Sequence, residues 1–179
     1  GGTDAGAAYV FTRSGTTWTQ QQKLASSDIA AGDYFGRCSA ISGDTVVVGA
    51  YGDDHNYSSA GAAYVFTRSG TTWTQQAKLT ASDAQADDYF GFRTAIDGDT
   101  VLVGAYSEDT GGSNAGAAYI FTRSGTTWTQ DKKIVASDGG ASDNFGYGLG
   151  IDEDTLVVSA PYEDSTANNA GAAYVFIAG

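Results

Sequence analysis

The sequence has no methionine and only one residue each of proline, cysteine and histidine. Because Cys38 is alone, no disulfide can form within the chain, and we interpret this residue as a small buried filler. Because His55 is alone, neither a histidine-based zinc site nor a catalytic triad has a second member, and we expect a solvated loop residue. No hydrophobic run approaches the roughly 18 residues needed to cross a bilayer, so we expect no membrane insertion.

Glutamate is also scarce, since three of the 21 acidic residues are Glu and the others are Asp. Aspartate favours turns and caps, whereas glutamate favours helices. The formal net charge of −12 predicts no binding to nucleic acid, which would be repelled, and it is compatible with bound Ca²⁺. Because the first residue is not methionine, we expect a processed product or a part of a longer protein.

A repeated unit dominates the rest of the sequence. The ten residues FTRSGTTWTQ occur without change from Phe11, Phe66 and Phe121, which are 55 residues apart. The stretch AGAAYVF precedes each copy, once with isoleucine for valine, and occurs a fourth time from Ala170. Self-similarity at such a period indicates a repeat architecture, in which one structural unit is copied.

Each period predicts four short strands, which read FGRCSAIS, TVVVGA, AGAAYVFTR and WTQQAKLTA in the sample copy. TVVVGA is apolar without alternation, which is typical of a strand covered on both faces. Four antiparallel strands per period favour an all-β fold of β-propeller blades, whereas a flat meander or a solenoid would leave a polar face on every strand. The fourth strand suits an outer position, because Trp73, Gln75, Ala77 and Leu79 alternate with Thr74, Gln76 and Lys78.

We predict four units from this strand count. Residues 1–34 hold strands 3 and 4 of a first blade, 35–89 and 90–144 hold complete blades, and 145–179 hold strands 1 to 3 of a final blade. Propellers normally close with four to eight blades, so about three blade equivalents predict an incomplete ring or an open array. Exposed strand edges template association, and we expect copies of the chain to form a homo-oligomer or a filament.

Two short signatures, one of two residues and one of three, recur in register with the repeat. Phe-Gly stands at Phe35, Phe90 and Phe145, and a second signature reads Gly-Ala-Tyr, Gly-Ala-Tyr and Ser-Ala-Pro from residues 49, 104 and 159. In these features the chain resembles the FG-GAP repeat family, whose repeats form the blades of integrin α-subunit propellers and of many bacterial extracellular proteins. The resemblance implies a propeller-type fold and an extracellular or cell-surface location, and it is greatest to the long bacterial subtype.

The calcium loop of integrin-type blades does not carry over to this chain. That loop joins the first two strands, but here the corresponding hairpins have shrunk to residues 42–44, 97–99 and 152–154. Such short hairpins hold too few oxygens for the six to eight ligands that Ca²⁺ prefers. We therefore do not assign a metal to these hairpins.

Most of the acids fall instead in the loops joining strand 4 to strand 1 and strand 2 to strand 3, which emerge at the same end of a blade. Arg37 and Arg93 are the nearest cations that the sequence indicates there. Carboxylates in pairs, completed by loop carbonyls, predict Ca²⁺ sites, whereas the alternative is that the aspartates cap turns. The predicted metal ligands are Asp28, Asp33, Asp53, Asp54, Asp83, Asp88, Glu108, Asp109, Asp138, Asp143, Glu163 and Asp164.

The remaining candidates are aromatic residues and one glycosylation sequon. Trp18, Trp73 and Trp128 could stack on sugars, but at this spacing packing between blades is the favoured interpretation. Asn56 begins the only N-glycosylation sequon, in a polar loop.

Nearly equivalent acid pairs in every copy argue against an enzyme, which needs only one site. We therefore predict a non-enzymatic extracellular structural or adhesion protein that assembles through its blade edges and binds Ca²⁺ in its acidic loops. The alternatives are a carbohydrate- or protein-binding propeller, lectin-like or integrin-like, and an accessory domain of a secreted enzyme.

Overall fold

The computed structural model describes residues 2–165 and 167–177, and within these residues the chain is all-β with no helix. None of this part of the chain, accordingly, offers a helix that could cross a membrane. The strands are β1 (Ala8–Ser14), β2 (Thr17–Leu24), β3 (Ser39–Ser42), β4 (Thr45–Ala50), β5 (Ala62–Ser69), β6 (Thr72–Leu79), β7 (Arg93–Asp97), β8 (Thr100–Ala105), β9 (Ala117–Ser124), β10 (Thr127–Ile134), β11 (Gly148–Asp152), β12 (Thr155–Ala160) and β13 (Ala172–Ile177).

These strands form four antiparallel sheets in chain order. β1–β2 is a two-stranded sheet, β3–β6 and β7–β10 are four-stranded, and β11–β13 is three-stranded, with sequence neighbours hydrogen-bonded throughout. The first strands β3, β7 and β11 contact one another across the blades, so they lie at the inner edge. No closed ring of sheets forms in the described residues. The predicted all-β fold of propeller-type blades in an open array is confirmed.

Each blade packs on its neighbours through opposite faces of its sheet. We call the side toward the preceding blade the front face and the side toward the following blade the back face. On the front face of the β3–β6 blade, Tyr64, Phe66 and Trp73 are buried against Val10 and Leu24 of the first sheet. Burial of each large apolar side chain contributes about 1.5–3 kcal/mol, so these interfaces hold the array together.

The back face of the same blade is buried in an equivalent way. All six residues of β4 are buried, which confirms the prediction that TVVVGA is covered on both faces. In the next interface, Val47, Val65 and Leu79 pack with Val101, Tyr119 and Phe121 of the β7–β10 blade.

A β-bulge makes the alternation predicted for the fourth strand wrong. The ladder between β5 and β6 skips Gln76, and one extra residue reverses the side to which the rest of the strand points. Trp73 therefore packs on the front face, whereas Leu79 packs on the back face. Lys78 lies on the front face beside Tyr64. β10 carries the same irregularity at the equivalent place.

Close approach of successive blades explains two glycines of each repeat, one in the AGAAYVF segment and one in the Phe-Gly signature. Gly61 and Phe90 form a parallel bridge between blades, and a Cβ on Gly61 would lie 2.0 Å from the Phe90 carbonyl oxygen. Gly91 makes the reciprocal contact, because a Cβ on Gly91 would lie 2.1 Å from the Ala62 carbonyl oxygen. Both glycines have positive φ, which favours glycine over any other residue.

Candidate functional site

The acidic loops of neighbouring blades meet at a lysine. Lys78 on β6 places its ammonium 2.7 Å from Asp28 Oδ2 and 2.9 Å from Asp53 Oδ2. The Tyr64 hydroxyl, which has a single proton to donate, lies within hydrogen-bond distance of the same two carboxylates, 2.9 Å from Asp28 Oδ1 and 2.7 Å from Asp53 Oδ2. The side chain of Asp53 is 5% exposed and that of Asp28 is 47% exposed, so the cluster runs from the interior to solvent. We call this arrangement a lysine–carboxylate cluster.

The next blade repeats the cluster with one substitution. Lys133 on β10 lies 2.6 Å from Asp83 Oδ2 and 2.9 Å from Glu108 Oε1, with Glu108 in the place of aspartate. The Tyr119 hydroxyl donates to Asp83 Oδ1 at 2.9 Å. Thr110 adds a link, because its hydroxyl donates to Glu108 and accepts from Lys133. Glu108, with 2% of its side chain exposed, is held entirely by these partners.

The last blade holds the acids of the cluster without the lysine. The Tyr174 hydroxyl donates to Asp138 Oδ1 at 2.7 Å, and buried Glu163 accepts the Ser165 N–H at 2.6 Å. No lysine or arginine in the described part of the chain lies within ion-pair distance of these carboxylates.

The first sheet, β1–β2, holds the lysine of the cluster without the acids. Lys23 on β2 is exposed over the ring of Tyr9, with no carboxylate among the described residues at ion-pair distance. Lys23 occupies the repeat position of Lys78 and Lys133, since these residues are 55 apart. One half of a cluster therefore lies at each end of the array.

Most of the other predicted metal ligands are occupied with backbone N–H groups. One oxygen of Asp33, Asp88 and Asp143 accepts the N–H of the residue three positions earlier, at 2.7 Å each time. Asp54 and Asp109 each accept the N–H of the residue five positions later, also at 2.7 Å. These are the turn-capping contacts of the alternative interpretation. Asp164 is exposed.

The lysines decide the ionisation of the partly exposed acids. Burial alone would raise the pKa of Asp83, but hydrogen bonds from Lys133 and Tyr119 outweigh it and hold that pKa below its ordinary value. Burial likewise opposes the charged form of Lys133, yet its two carboxylates raise the pKa of the ammonium. No lysine or arginine of the described residues lies within ion-pair distance of Asp88. Burial raises its pKa to about 6, with repulsion from Glu108 adding to the rise and the Gln85 N–H opposing it.

The calcium prediction stays a prediction. In the two inner clusters the carboxylates converge on an ammonium, an arrangement that does not fit the six to eight oxygen ligands of a calcium shell. Across residues 2–165 and 167–177, no group of three or more His, Cys, Asp or Glu side chains is placed to hold a metal ion. Lysine thus occupies the position in which the sequence places a divalent cation.

The expectation that Arg37 and Arg93 are the cations nearest the acids is wrong. Lys78 and Lys133 are the paired cations, because the bulge turns them to the front face. The common 55-residue spacing of lysines and aspartates could have shown this pairing. At the opposite end of the blades, Arg68 pairs with Asp44.

The single residues of interest are placed as follows. Cys38 is half-buried with Sγ 3.3 Å from the Gly91 carbonyl oxygen, and burial raises the pKa of its thiol. His55 and Asn56 are exposed in the loop after β4, as expected of a solvated loop, and glycosylation of Asn56 stays a prediction. Trp73 packs between blades as predicted, with Nε1 donating to Gln21 Oε1 at 2.8 Å.

The first and last sheets expose surfaces that the inner blades bury. Trp18 is 64% exposed, whereas the equivalent Trp73 is 4% exposed. Beside β13 lies a cavity of about 240 Å³ at the place that Trp73 occupies in its own blade. The cavity is lined in part by Ile120, Ile134, Leu156 and Phe176. These are the repeat equivalents of Val10, Leu24, Val46 and Phe66, which form one cluster with Trp73.

Comparison with known proteins identifies the family of the 55-residue repeat. A family model described as FG-GAP repeat matches residues 18–66, 73–121 and 128–176. Each match begins at a tryptophan of the fourth strand and ends in the third strand of the following blade. No curated protein sequence matches the chain. Three matches in register cover most of the sequence, and the chain belongs to the FG-GAP repeat family.

Proposed function

We propose that this protein is a non-enzymatic structural repeat module that assembles with copies of itself, β2 of one copy serving as the fourth strand of the last blade of another. The observation that carries the proposal is the pair of matching half-interfaces at the two ends of the array. Three independent features of these ends are complementary, and each has a buried counterpart in the inner blades.

The first feature is shape. Exposed Trp18 corresponds to the side chain that would fill the cavity beside β13. In the inner blades this position is occupied by Trp73 and Trp128, both packed within a hydrophobic cluster. Transfer of Trp18 from solvent into the cavity would contribute about 1.5–3 kcal/mol. Asp131 lines the cavity at the repeat position of Gln21, which accepts the indole N–H of Trp73.

The second feature is charge. In the inner blades Tyr64 pairs with Lys78 across the ladder, and the lysine then reaches the two acids. The same register would place Lys23 of a second copy beside Tyr174, within reach of Asp138 and Glu163. A lysine without carboxylates and carboxylates without a lysine would thereby complete a third cluster.

The third feature is the strand edge. Within residues 2–165 and 167–177, β13 pairs with β12 alone, so its other edge offers backbone N–H and C=O groups to a further strand. Because β1 and β13 carry the same AGAAYVF segment, either can serve as the third strand of a shared blade. Each chain would then contribute two complete blades and two shared ones.

The proposed location and cellular role are supported by the family of the chain and not by the two ends of the blade array. FG-GAP repeats are typical of extracellular and cell-surface proteins, and we propose that location and a structural or adhesive role here. A non-enzymatic role is supported by the two inner clusters, in which the equivalent aspartates Asp28 and Asp83 are each held by a lysine and a tyrosine in the same way. Calcium remains part of the proposal only as a stabiliser of the acidic loops.

The test is the native mass by light scattering. We expect assemblies of at least twice 18.4 kDa for the unaltered chain. Lys23→Glu should return the protein to a monomer, and Lys23→Glu with Glu163→Lys should restore assembly by exchanging the charges. Tyr57→Ser is the matched control, since Tyr57 is 54% exposed but lies in a loop away from both ends.

Two outcomes would overturn the proposal. One is a monomer at every protein concentration, and the other is assembly that is unchanged by Lys23→Glu and by Trp18→Ala together. The same measurement in millimolar Ca²⁺ and in EDTA tests the metal separately. Assembly that is lost in EDTA would support calcium, and assembly indifferent to EDTA would remove calcium from the proposal without affecting the shared blade.

A further inference from the structure

A continuous row of aromatic rings crosses the blades at the end that carries the acidic loops. We call it the aromatic belt. Each ring lies within 6.5 Å of the next between centroids, and two pairs are stacked, Tyr34 on Tyr51 at 5.0 Å and Tyr89 on Tyr106 at 5.5 Å. The belt consists of Tyr34, Tyr51, Tyr89, Phe92, Tyr106, Tyr147 and Tyr162.

Two arginines lie over the middle of this belt. The Arg37 guanidinium is 5.1 Å from the ring centroid of Phe92, and the Arg93 guanidinium is 4.5 Å from the same centroid. The two charges are therefore within about 10 Å of each other, with the contacts of cation–π pairs. Burial raises the pKa of Tyr51 and Tyr106, and the Arg37 charge opposes the rise at both.

These arginines have no ion-pair partner among the described residues, although acids outnumber basic residues 21 to 9 in the chain. Two like charges held close together repel, and an anion between them would be attracted by both. Guanidinium binds carboxylate in a bidentate fashion, which adds direction to the attraction. The belt is thus a cationic site on an otherwise acidic surface.

The copies of the repeat also differ within the belt. The stretch FTRSGTTWTQ is unchanged in three copies, but the position of Arg37 is held by Phe92 and Tyr147 in the next two. Arg93 likewise stands where the first copy has Cys38. A single ligand site assembled from several copies requires different residues from each copy, and the belt meets that requirement.

Backbone strain supports the same interpretation. Tyr34 and Tyr89 adopt left-handed backbone conformations with φ of 54° and 56°. Such conformations are uncommon for bulky residues and suit asparagine, which holds the third copy of this position as Asn144. Two tyrosines kept at a position that suits asparagine indicate that their rings are needed there.

From these observations we propose that the aromatic belt binds a sugar that bears a carboxylate, with tyrosine rings stacking on the sugar and Arg37 and Arg93 holding the carboxylate. A polyanion is disfavoured because the surrounding acidic loops would repel its further charges. A peptide is disfavoured because the seven belt residues all lie outside the described strands, in turns, bends and irregular segments, and so present no strand edge for backbone pairing. This site is independent of the assembly proposed above.

The test is a ligand-observed NMR titration of the full chain with glucuronate, with glucose as the neutral control. We expect glucuronate to bind at least tenfold more tightly than glucose, and Arg37→Gln or Arg93→Gln to weaken glucuronate binding about tenfold or more. Arg68→Gln, at the opposite end of a blade, is the control and should leave binding unchanged. Circular dichroism would verify that each variant remains folded.

Tyr89→Asn provides a second variant that does not depend on charge. We expect it to weaken binding while leaving stability equal or higher, because it relieves the left-handed tyrosine. Equal binding of glucose and glucuronate, or no loss in both arginine variants, would overturn the proposal. Tighter binding of a tripeptide such as Asp-Tyr-Glu than of glucuronate would overturn the sugar and assign the site to an acidic peptide.

Discussion

Replacing Lys133 with methionine should remove the charge at the centre of a lysine–carboxylate cluster while keeping the aliphatic stem. The ammonium lies 2.6 Å from Asp83 and 2.9 Å from Glu108, and the Glu108 side chain is 2% exposed. Without the lysine, the Glu108 carboxylate keeps only its bonds to Thr110. Breaking a buried ion pair from one side costs about 3–5 kcal/mol. Since Asp83 is 45% exposed and recovers solvent, we expect a loss near the lower limit, about 3 kcal/mol.

Urea denaturation measures this loss, and the neighbouring residue supplies the control. Lys132 lies on the same strand, is exposed, and has no carboxylate of the described residues within ion-pair distance. Lys132→Met should therefore change the free energy of unfolding by no more than about 0.5 kcal/mol. Glu108→Gln should recover part of the loss in the Lys133→Met background, because it removes the stranded charge.

The pH dependence gives a further test of the same cause. Burial opposes the charged form of Lys133, but Asp83 and Glu108 raise the pKa of its ammonium above the ordinary value. The contribution of this pairing is therefore present at neutral pH and is lost as pH rises above 10.5 through the raised pKa. At the acid side, Asp83 has a lowered pKa, and its contribution is lost as pH falls below 3.8 through that pKa. The deficit of the variant should hence be greatest near pH 7 and should shrink at low pH. A deficit equal to that of Lys132→Met at pH 7 would refute this account of the cluster.

Three further predictions concern single contacts. Asp88→Asn should raise the free energy of unfolding above pH 7 by at most about 3 kcal/mol, because burial raises the pKa of Asp88 to about 6 and its ionised form destabilises the fold. This cost is relieved as pH falls through 6, when Asp88 becomes protonated. Urea denaturation from pH 4 to 8 should therefore show that the gain of the variant vanishes at acid pH. Gly91→Ala should cost at least about 2 kcal/mol in the same assay, since the added Cβ meets a carbonyl oxygen, whereas Gly70→Ala, which meets nothing within 4 Å, should cost only about 1 kcal/mol; equal costs would contradict the close-approach argument. A double-mutant cycle of Trp73→Phe and Gln21→Ala should give a coupling of about 1 kcal/mol, and additive effects would mean that the indole hydrogen bond contributes nothing.

The strands could be predicted well because each is marked by short-range chemistry. The turns at Gly43 and Gly70 bound apolar runs, and β4 spans the six residues TVVVGA that the pattern indicates. Those signals are local, so one sequence carries them. The family resemblance is confirmed for the same reason, since its motifs are glycines that the contact between blades requires.

The sites were harder to predict because they depend on a bulge and on residues from different copies. Alternation alone places Lys78 on the face opposite Trp73, and only the extra residue Gln76 brings both to the front. The sequence pattern consequently predicts the acids of the cluster but not their pairing with a lysine. The aromatic belt was missed because Arg37 and Phe92 occupy the same position in different copies, so a search for repeated residues passes over them.

The bulge in the outer strand has a mechanical consequence. Trp73 and Lys78 of β6 hold the blade before, whereas Gln76 and Leu79 of the same strand hold the blade after. A force that peels β6 from its sheet would have to break contacts with three successive blades at once. The repeats should accordingly not extend one by one like beads under tension, and the two inner blades should rupture together in a single force event.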